Sequence, residues 1–170
     1  TPDISTFAKA MGNGLPVAAI AGRGPVLEGW ARGGIVQAGT YSGNAVSTAA
    51  AQATVERLLT GEPMAQLGKV GGMLMDGTVK ILADRGVPSS VHGKPAMFGF
   101  YFGEDTPIDY RQSTHHDEEL YERLVMGMIR RGVMPSPEAH EPWFLAAAHT
   151  EEDAATTLQV FAEALDEALG

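Results

Sequence analysis

The chain holds four lysines, Lys9, Lys69, Lys80 and Lys94, and one of them has a setting suited to covalent chemistry. Lys9 follows Phe7, sits between Ala8 and Ala10, and precedes Gly12-Asn13-Gly14 and the apolar run Leu15-Pro16-Val17-Ala18-Ala19-Ile20. Apolar flanks would partly desolvate an ammonium and favour the neutral amine, the form that attacks a carbonyl carbon to make a Schiff base. Taken by its own context, Lys9 reads either as such a nucleophile or as a solvated lysine at a turn. Lys69 and Lys80 fall on a helical stretch, where a solvated face accounts for them.

A second constellation is Gln37-Ala38-Gly39-Thr40-Tyr41-Ser42-Gly43-Asn44. Small residues leave backbone N–H groups accessible, two hydroxyls flank a tyrosine, and Asn44 is a good N-cap for the Ala-rich stretch that follows. These are the parts of an anion or phosphate cradle at a helix N-terminus, and equally of a plain helix-capping turn. The Gly-Lys-Ser/Thr ending of a Walker A loop is missing, and Gly12-Asn13-Gly14 lacks the third glycine of a dinucleotide fingerprint. His115-His116-Asp117 reads as a helix cap rather than a metal site, since adjacent residues point in different directions and no third ligand has helpful spacing. No metal is expected. Without cysteines there is neither a thiolate site nor a disulfide framework. His149 reads as a structural histidine, and Met64, Met73, Met75, Met126 and Met128 as core filler at helical positions.

The elements that must position these residues follow from periodicity and caps. Residues 15–22 form a short apolar run bounded by glycine, which reads as a buried strand. Residues 25–32 read as one or two helical turns stopped by Gly33-Gly34, and residues 45–59 as a helix begun by Asn44. A longer helix over 63–85 has Leu67, Val70, Leu74 and Ile81 near one face, but Gly68, Gly71, Gly72 and Gly77 weaken it by up to ~1 kcal/mol each, so close packing must compensate. Residues 96–102 alternate, with Phe98, Phe100 and Phe102 on one face, as a strand does. A helix over 117–131 has acidic residues at its start and Arg130-Arg131 at its end, complementing its dipole. After a Pro-rich link, 143–147 reads as a strand, and Thr150 with Asp153 as a capping box opening a last helix that buries Leu158, Phe161 and Leu165. Helices and strands thus alternate, which indicates an α/β or α+β protein. A boundary near Gly86 divides it into 1–86, with Lys9 and the small-residue loop, and 87–170, a sheet with two helices.

Composition narrows the partners. The 170 residues include 12 Lys plus Arg against 21 Asp plus Glu, a net charge of −9, which disfavours nucleic acid and anionic membranes. Hydrophobic residues at 44% supply a compact core, and no stretch approaches the ~18 apolar residues that span a bilayer. A soluble, cytoplasmic protein is expected.

The two constellations together resemble one known family. The stretch Pro2-Asp3-Ile4-Ser5-Thr6-Phe7-Ala8-Lys9-Ala10-Met11-Gly12-Asn13-Gly14-Leu15-Pro16-Val17 resembles the active-site lysine region of class III aminotransferases, which are fold type I pyridoxal-phosphate enzymes. The loop at 37–44 looks like that family's phosphate-contact loop. The segments Ala96-Met97-Phe98-Gly99-Phe100-Tyr101-Phe102 and Ala146-Ala147-Ala148-His149-Thr150 are similar to the C-terminal domain of the glutamate-1-semialdehyde aminomutase branch.

That resemblance implies a part of fold type I, namely the end of the large cofactor domain plus a small C-terminal α+β domain. Its cofactor would be pyridoxal 5'-phosphate and its substrate a small amino, keto or amino-aldehyde compound. Lys9 would bind the cofactor as a Schiff base and later move a proton. Gly39 and Thr40 would contact the cofactor phosphate, Thr40 across a homodimer interface. Glu141 falls where the aminomutase branch has a glutamate near the active site, although His140 stands where a phenylalanine is usual. The ring-pairing aspartate, the stacking aromatic and the first phosphate turn lie upstream of the lysine in the family, so the resemblance implies a C-terminal part of a longer enzyme that alone is a poor catalyst with exposed strand edges. The alternative from another class is a non-catalytic α/β binding or assembly module keeping a degenerate cofactor cradle.

Overall fold

The computed structural model describes residues 1–170 in their backbone, with side chains for residues 1–30 and 32–170. Packing divides the chain into two units, Thr1–Glu62 and Pro63–Gly170.

The first unit opens with a hairpin. Strand β1 (Ile4–Phe7) pairs antiparallel with β2 (Ala19–Gly22), Ile4 opposite Gly22 and Phe7 opposite Ala19. The buried strand expected over 15–22 is shorter and is not buried. Pro16 has no N–H to give a ladder, and the Leu15 N–H closes a turn onto the Gly12 carbonyl at 3.1 Å, so pairing starts at Ala19. Ile20 is 42% exposed, because β1 is the strand's one ladder partner and no layer within the unit covers it. Helix α1 (Gly24–Ala31) takes Pro25 in its first turn, where the missing N–H costs nothing. Helix α2 (Ala45–Leu59) begins where Asn44 accepts from the N–H groups of Val46 and Ser47, both at 3.1 Å.

The second unit is built around an antiparallel sheet ordered β3-β4-β5, comprising Ser89–Lys94, Met97–Phe102 and Trp143–Phe144. The two-residue turn at Pro95-Ala96 sets Lys94 opposite Met97 and Ser89 opposite Phe102. Phe98, Phe100 and Phe102 are all buried, as alternation requires. Phe100 lies 5.2–5.5 Å, ring centre to ring centre, from Phe102, Tyr121, Trp143 and Phe161. Helix α3 (Glu62–Asp84) buries Val70, Leu74, Thr78 and Leu82. The short α4 (Tyr110–Ser113) precedes α5 (Glu118–Arg130), which packs on α6 (Glu151–Leu169) where Gly127 allows close approach to Ala164. Asp117 caps α5 through the Leu120 N–H at 2.9 Å, and Thr150 with Asp153 forms the capping box that opens α6.

Three expectations change here. The boundary drawn at Gly86 falls instead between Glu62 and Pro63, because α3 contributes its buried face to the second unit's core. The strand at 143–147 stops at Phe144, since the His149 N–H turns back onto the Ala146 carbonyl. Met128 is buried and Met73 and Met75 pack against the core, but Met64 and Met126 are exposed on the outer faces of their helices. Leu158 is partly buried, Phe161 and Leu165 fully. Among the described residues both sheets are antiparallel, and no helix is long and apolar enough to cross a membrane.

Candidate active site

Lys9 starts a 3-10 turn, Lys9–Met11, directly after β1. Its φ is +52°, and Asn13 four residues on has φ +46°, so two side-chain-bearing residues occupy the left-handed region within one turn. Each such residue costs about 1–2 kcal/mol, a strain that surrounding structure must hold in place. Hydrogen bonds do so locally, with Met11, Gly12 and Asn13 N–H groups donating to the carbonyls of Ala8, Lys9 and Ala10 at 3.1–3.2 Å. Gly12 is buried, and a Cβ there would overlap the Leu15 carbonyl and Val17, so the turn closes as tightly as it does only with glycine.

The Lys9 side chain itself is exposed, as are Ala8 and Ala10. This corrects the expectation that apolar flanks shield it: Ala8 and Ala10 are too small to cover a lysine, and Phe7 is half-exposed. Lys69 pairs with Glu151 and Lys80 with Asp84. Among the described residues Lys9 has no carboxylate partner.

The turn that begins with Lys9 packs against α2, the helix that the small-residue loop caps. In that loop the Ser42 N–H donates to the Gly39 carbonyl at 3.0 Å and the Asn44 N–H to the Tyr41 carbonyl at 3.1 Å, with Gly43 at φ +69°. A Cβ at Gly39 would sit 3.1 Å from Ser42 Oγ, tighter than ordinary contact. Because Asn44 occupies the N–H groups of Val46 and Ser47, the α2 terminus is largely satisfied already. The groups left for an anion are the exposed Thr40 hydroxyl and the loop amides around Gly39 and Thr40. The loop is therefore a helix cap by its Asn44 end, while its Gly39-Thr40 end is exposed.

Glu141 belongs to the second unit, exposed on the segment before β5, with its N–H donating to the Glu138 carbonyl at 3.1 Å. His140 beside it places Nε2 3.1 Å from Glu118 Oε1. Pro142 and Trp143, next along, help to line a groove of about 350 Å³ with Val70, Met134 and Phe144. His149 is structural as expected, its Nδ1 accepting from the Ala146 N–H at 3.0 Å.

His116 does more than the sequence suggested. Asp117 is the α5 cap, whereas His116 is 9% exposed and its Nδ1 accepts the Phe102 N–H at 2.7 Å. Burial pushes its imidazole below the ordinary range. Nothing near it in sequence signals this, because its partner lies on β4, fourteen residues away. Among the described residues no group of three metal-ligating side chains converges.

Known structures share this backbone. An omega-transaminase from Sphaerobacter thermophilus superposes on the whole chain with a TM-score of 0.90 at 25% identity, the match covering 40% of that protein. The FumI protein of Sphingopyxis sp. MTA144, solved in its PLP internal aldimine form, matches 99% of this chain and 37% of its own length, with a TM-score of 0.84 and 26% identity. A lysine in a strained turn beside a capped small-residue loop thus stands in part of the fold type I transaminase architecture.

Residues 1–165 match the model of the family described as Aminotransferase class-III, and the chain belongs to that family. Curated relatives include the glutamate-1-semialdehyde 2,1-aminomutase of Thermus thermophilus, 39% identical over 167 residues, which are 96% of this chain and 39% of that protein. Glutamate-1-semialdehyde 2,1-aminomutase 2 of Bacillus velezensis is 37% identical over 160 residues, covering 94% of this chain and 37% of its own. The chain spans about two fifths of the length of the curated relatives it matches.

Proposed function

We propose that this chain is the lysine-bearing portion of a pyridoxal-phosphate-dependent enzyme that moves an amino group, either between an amine donor and a carbonyl acceptor or within one amino aldehyde. The observation that carries the reading is the class III match over residues 1–165, with Lys9 held in a strained turn against the helix that follows the Thr40 loop. The relatives named above as transaminases and aminomutases support both forms of the reaction.

The residues present suit that cofactor. Lys9 has an exposed side chain with no carboxylate to hold it as an ammonium salt, and Nζ is the atom that would bind the cofactor aldehyde. Gly39 and Thr40 offer amides and a hydroxyl to a phosphate, in the way helix-terminal loops hold anions. When bound, the cofactor supplies an electron sink for charge developing at the substrate Cα. Lys9 Nζ would also be the base that takes the Cα proton, a role that requires the neutral amine. Because these residues leave Lys9 exposed, the shielding that favours this form is assigned to the rest of the enzyme or to its partner subunit.

A homodimer belongs to this reading, with Thr40 of one protomer serving its partner's site, and so does Glu141 as a residue near the substrate. A cytoplasmic location belongs to the same reading. The test uses the protein expressed from its complete reading frame. Borohydride reduction with pyridoxal phosphate, followed by digestion and mass analysis, is expected to leave the pyridoxyl group on the Lys9 peptide, and Lys9→Ala to abolish it. An unmodified Lys9 in the full-length protein overturns the reading and leaves the binding module.

A further inference from the structure

Two histidines in the second unit are left with one unused ring nitrogen each. His116 accepts the Phe102 N–H on Nδ1 at 2.7 Å, so its neutral ring carries the proton on Nε2. That Nε2–H is buried and has no partner. His140 faces the Glu118 carboxylate with Nε2 at 3.1 Å; a carboxylate accepts, so Nε2 carries the proton there too, and Nδ1 is an acceptor. That Nδ1 is also buried and without a partner. One ring therefore has a spare donor and the other a spare acceptor, and an unmet buried polar atom is a costly thing to keep.

The ring centres are 6.3 Å apart, with planes inclined at 57°. A ring nitrogen lies about 1.1 Å from its ring centre, so the two nitrogens come no closer than about 4 Å, beyond direct hydrogen-bond reach, and a link between them has to run through a water. We propose that His116 Nε2 and His140 Nδ1 hold a single bridging water, and that this link makes His140 a positioning residue for the segment carrying Glu141. The water accepts from His116 and donates to His140, which matches the tautomers set independently by Phe102 and Glu118.

The consequence is mechanical. His116 is anchored to β4 through the Phe102 amide and immediately precedes the α5 cap, while His140 lies on the segment between α5 and β5. Through Glu118 on one side and the water on the other, both His140 nitrogens are tied to the framework, so Glu141 is held from its neighbouring residue. Tyr101 packs edge-on against His116, and Tyr110 lies tilted against His140 with ring centres 5.8 Å apart, restricting both rings to these orientations. The role given to Glu141 rests on the proposed amino-transfer function; the water site does not.

Two measurements on the full-length protein test this. A crystal structure at a resolution that shows ordered water should contain one water within hydrogen-bond distance of both nitrogens; a dry gap, or a His140 ring turned to offer Nδ1 to Glu118, overturns the proposal. In steady-state kinetics His140→Phe, which keeps a ring but no nitrogen, should raise KM for the amine substrate about tenfold, the worth of one hydrogen bond, with little change in kcat. His140→Asn, which places an amide oxygen near the Nδ1 position, should recover part of that loss. Equal KM values for the wild type and His140→Phe overturn the positioning role. A wild-type protein without amino-transfer activity counts against the proposed function alone, because the crystal measurement still decides the water site.

Discussion

Gly71 on α3 meets the carbonyl of Pro95 in the β3–β4 turn so closely that a Cβ on Gly71 would overlap that carbonyl. A glycine that weakens an isolated helix here lets the helix lie directly on a hairpin turn. Gly68 on the same helix has open space where its Cβ would be, and is exposed. The opposite signs follow from one property, the missing side chain. Gly71→Ala should destabilise the protein by about 2–3 kcal/mol, since backbone rather than a movable side chain stands in the way. Gly68→Ala should stabilise it by about 0.5–1 kcal/mol by restoring helix propensity. Denaturant midpoints of the two variants check this, and a stabilised Gly71→Ala would refute the contact.

Under the proposed function, Thr40 would bear on cofactor affinity rather than on folding, because its side chain is exposed. Thr40→Val should weaken binding of pyridoxal phosphate to the full-length protein by about tenfold to a hundredfold, the worth of a hydrogen bond to a charged group. Fluorescence titration gives the Kd, which an uninvolved Thr40 would leave unchanged.

Tyr121 links two elements through one hydroxyl. It donates to the Ser136 carbonyl at 2.9 Å and accepts from Trp143 Nε1 at 3.1 Å, and burial pushes its phenol above the ordinary range. Tyr121→Phe keeps the ring contacts with Phe100 but leaves the Trp143 N–H and the Ser136 carbonyl unmet. The expected loss is about 1–3 kcal/mol, measured by thermal unfolding, with a change in Trp143 fluorescence.

His116 makes stability depend on pH. Its imidazole titrates below the ordinary value of 6.5 in the folded state, chiefly because it is buried. As pH falls below about 6.5 the unfolded chain takes up a proton that the folded chain refuses, so stability is lost from there down through the folded value. The His116→Asn variant keeps an acceptor for the Phe102 amide and should lose this component of the pH dependence. Unfolding free energies across the window, wild type against variant, decide it.

Much of the helical framework was legible in order along the chain. Asn44 announced the start of α2, Thr150 and Asp153 the start of α6, and alternation at Phe98, Phe100 and Phe102 the buried face of β4, because a cap or a pleat is satisfied within a few residues. The lysine stretch and the small-residue loop could also be picked out, since each is a contiguous motif.

Other features depend on residues distant in the chain. Ile4–Phe7 becomes a strand only by pairing with Ala19–Gly22, and α3 joins the second unit only because Val70, Leu74 and Leu82 find their core there. The exposure of Lys9 and the burial of His116 against the Phe102 amide were equally unreadable, since accessibility is a property of what packs around a residue. The sequence by itself determined where helices begin, which strand face is apolar and which lysine has the family's surroundings, all of them local energies. Only the tertiary structure decided the pairing of strands, the division of the chain and the hydrogen-bond state of its histidines, because those energies exist only once distant segments have met.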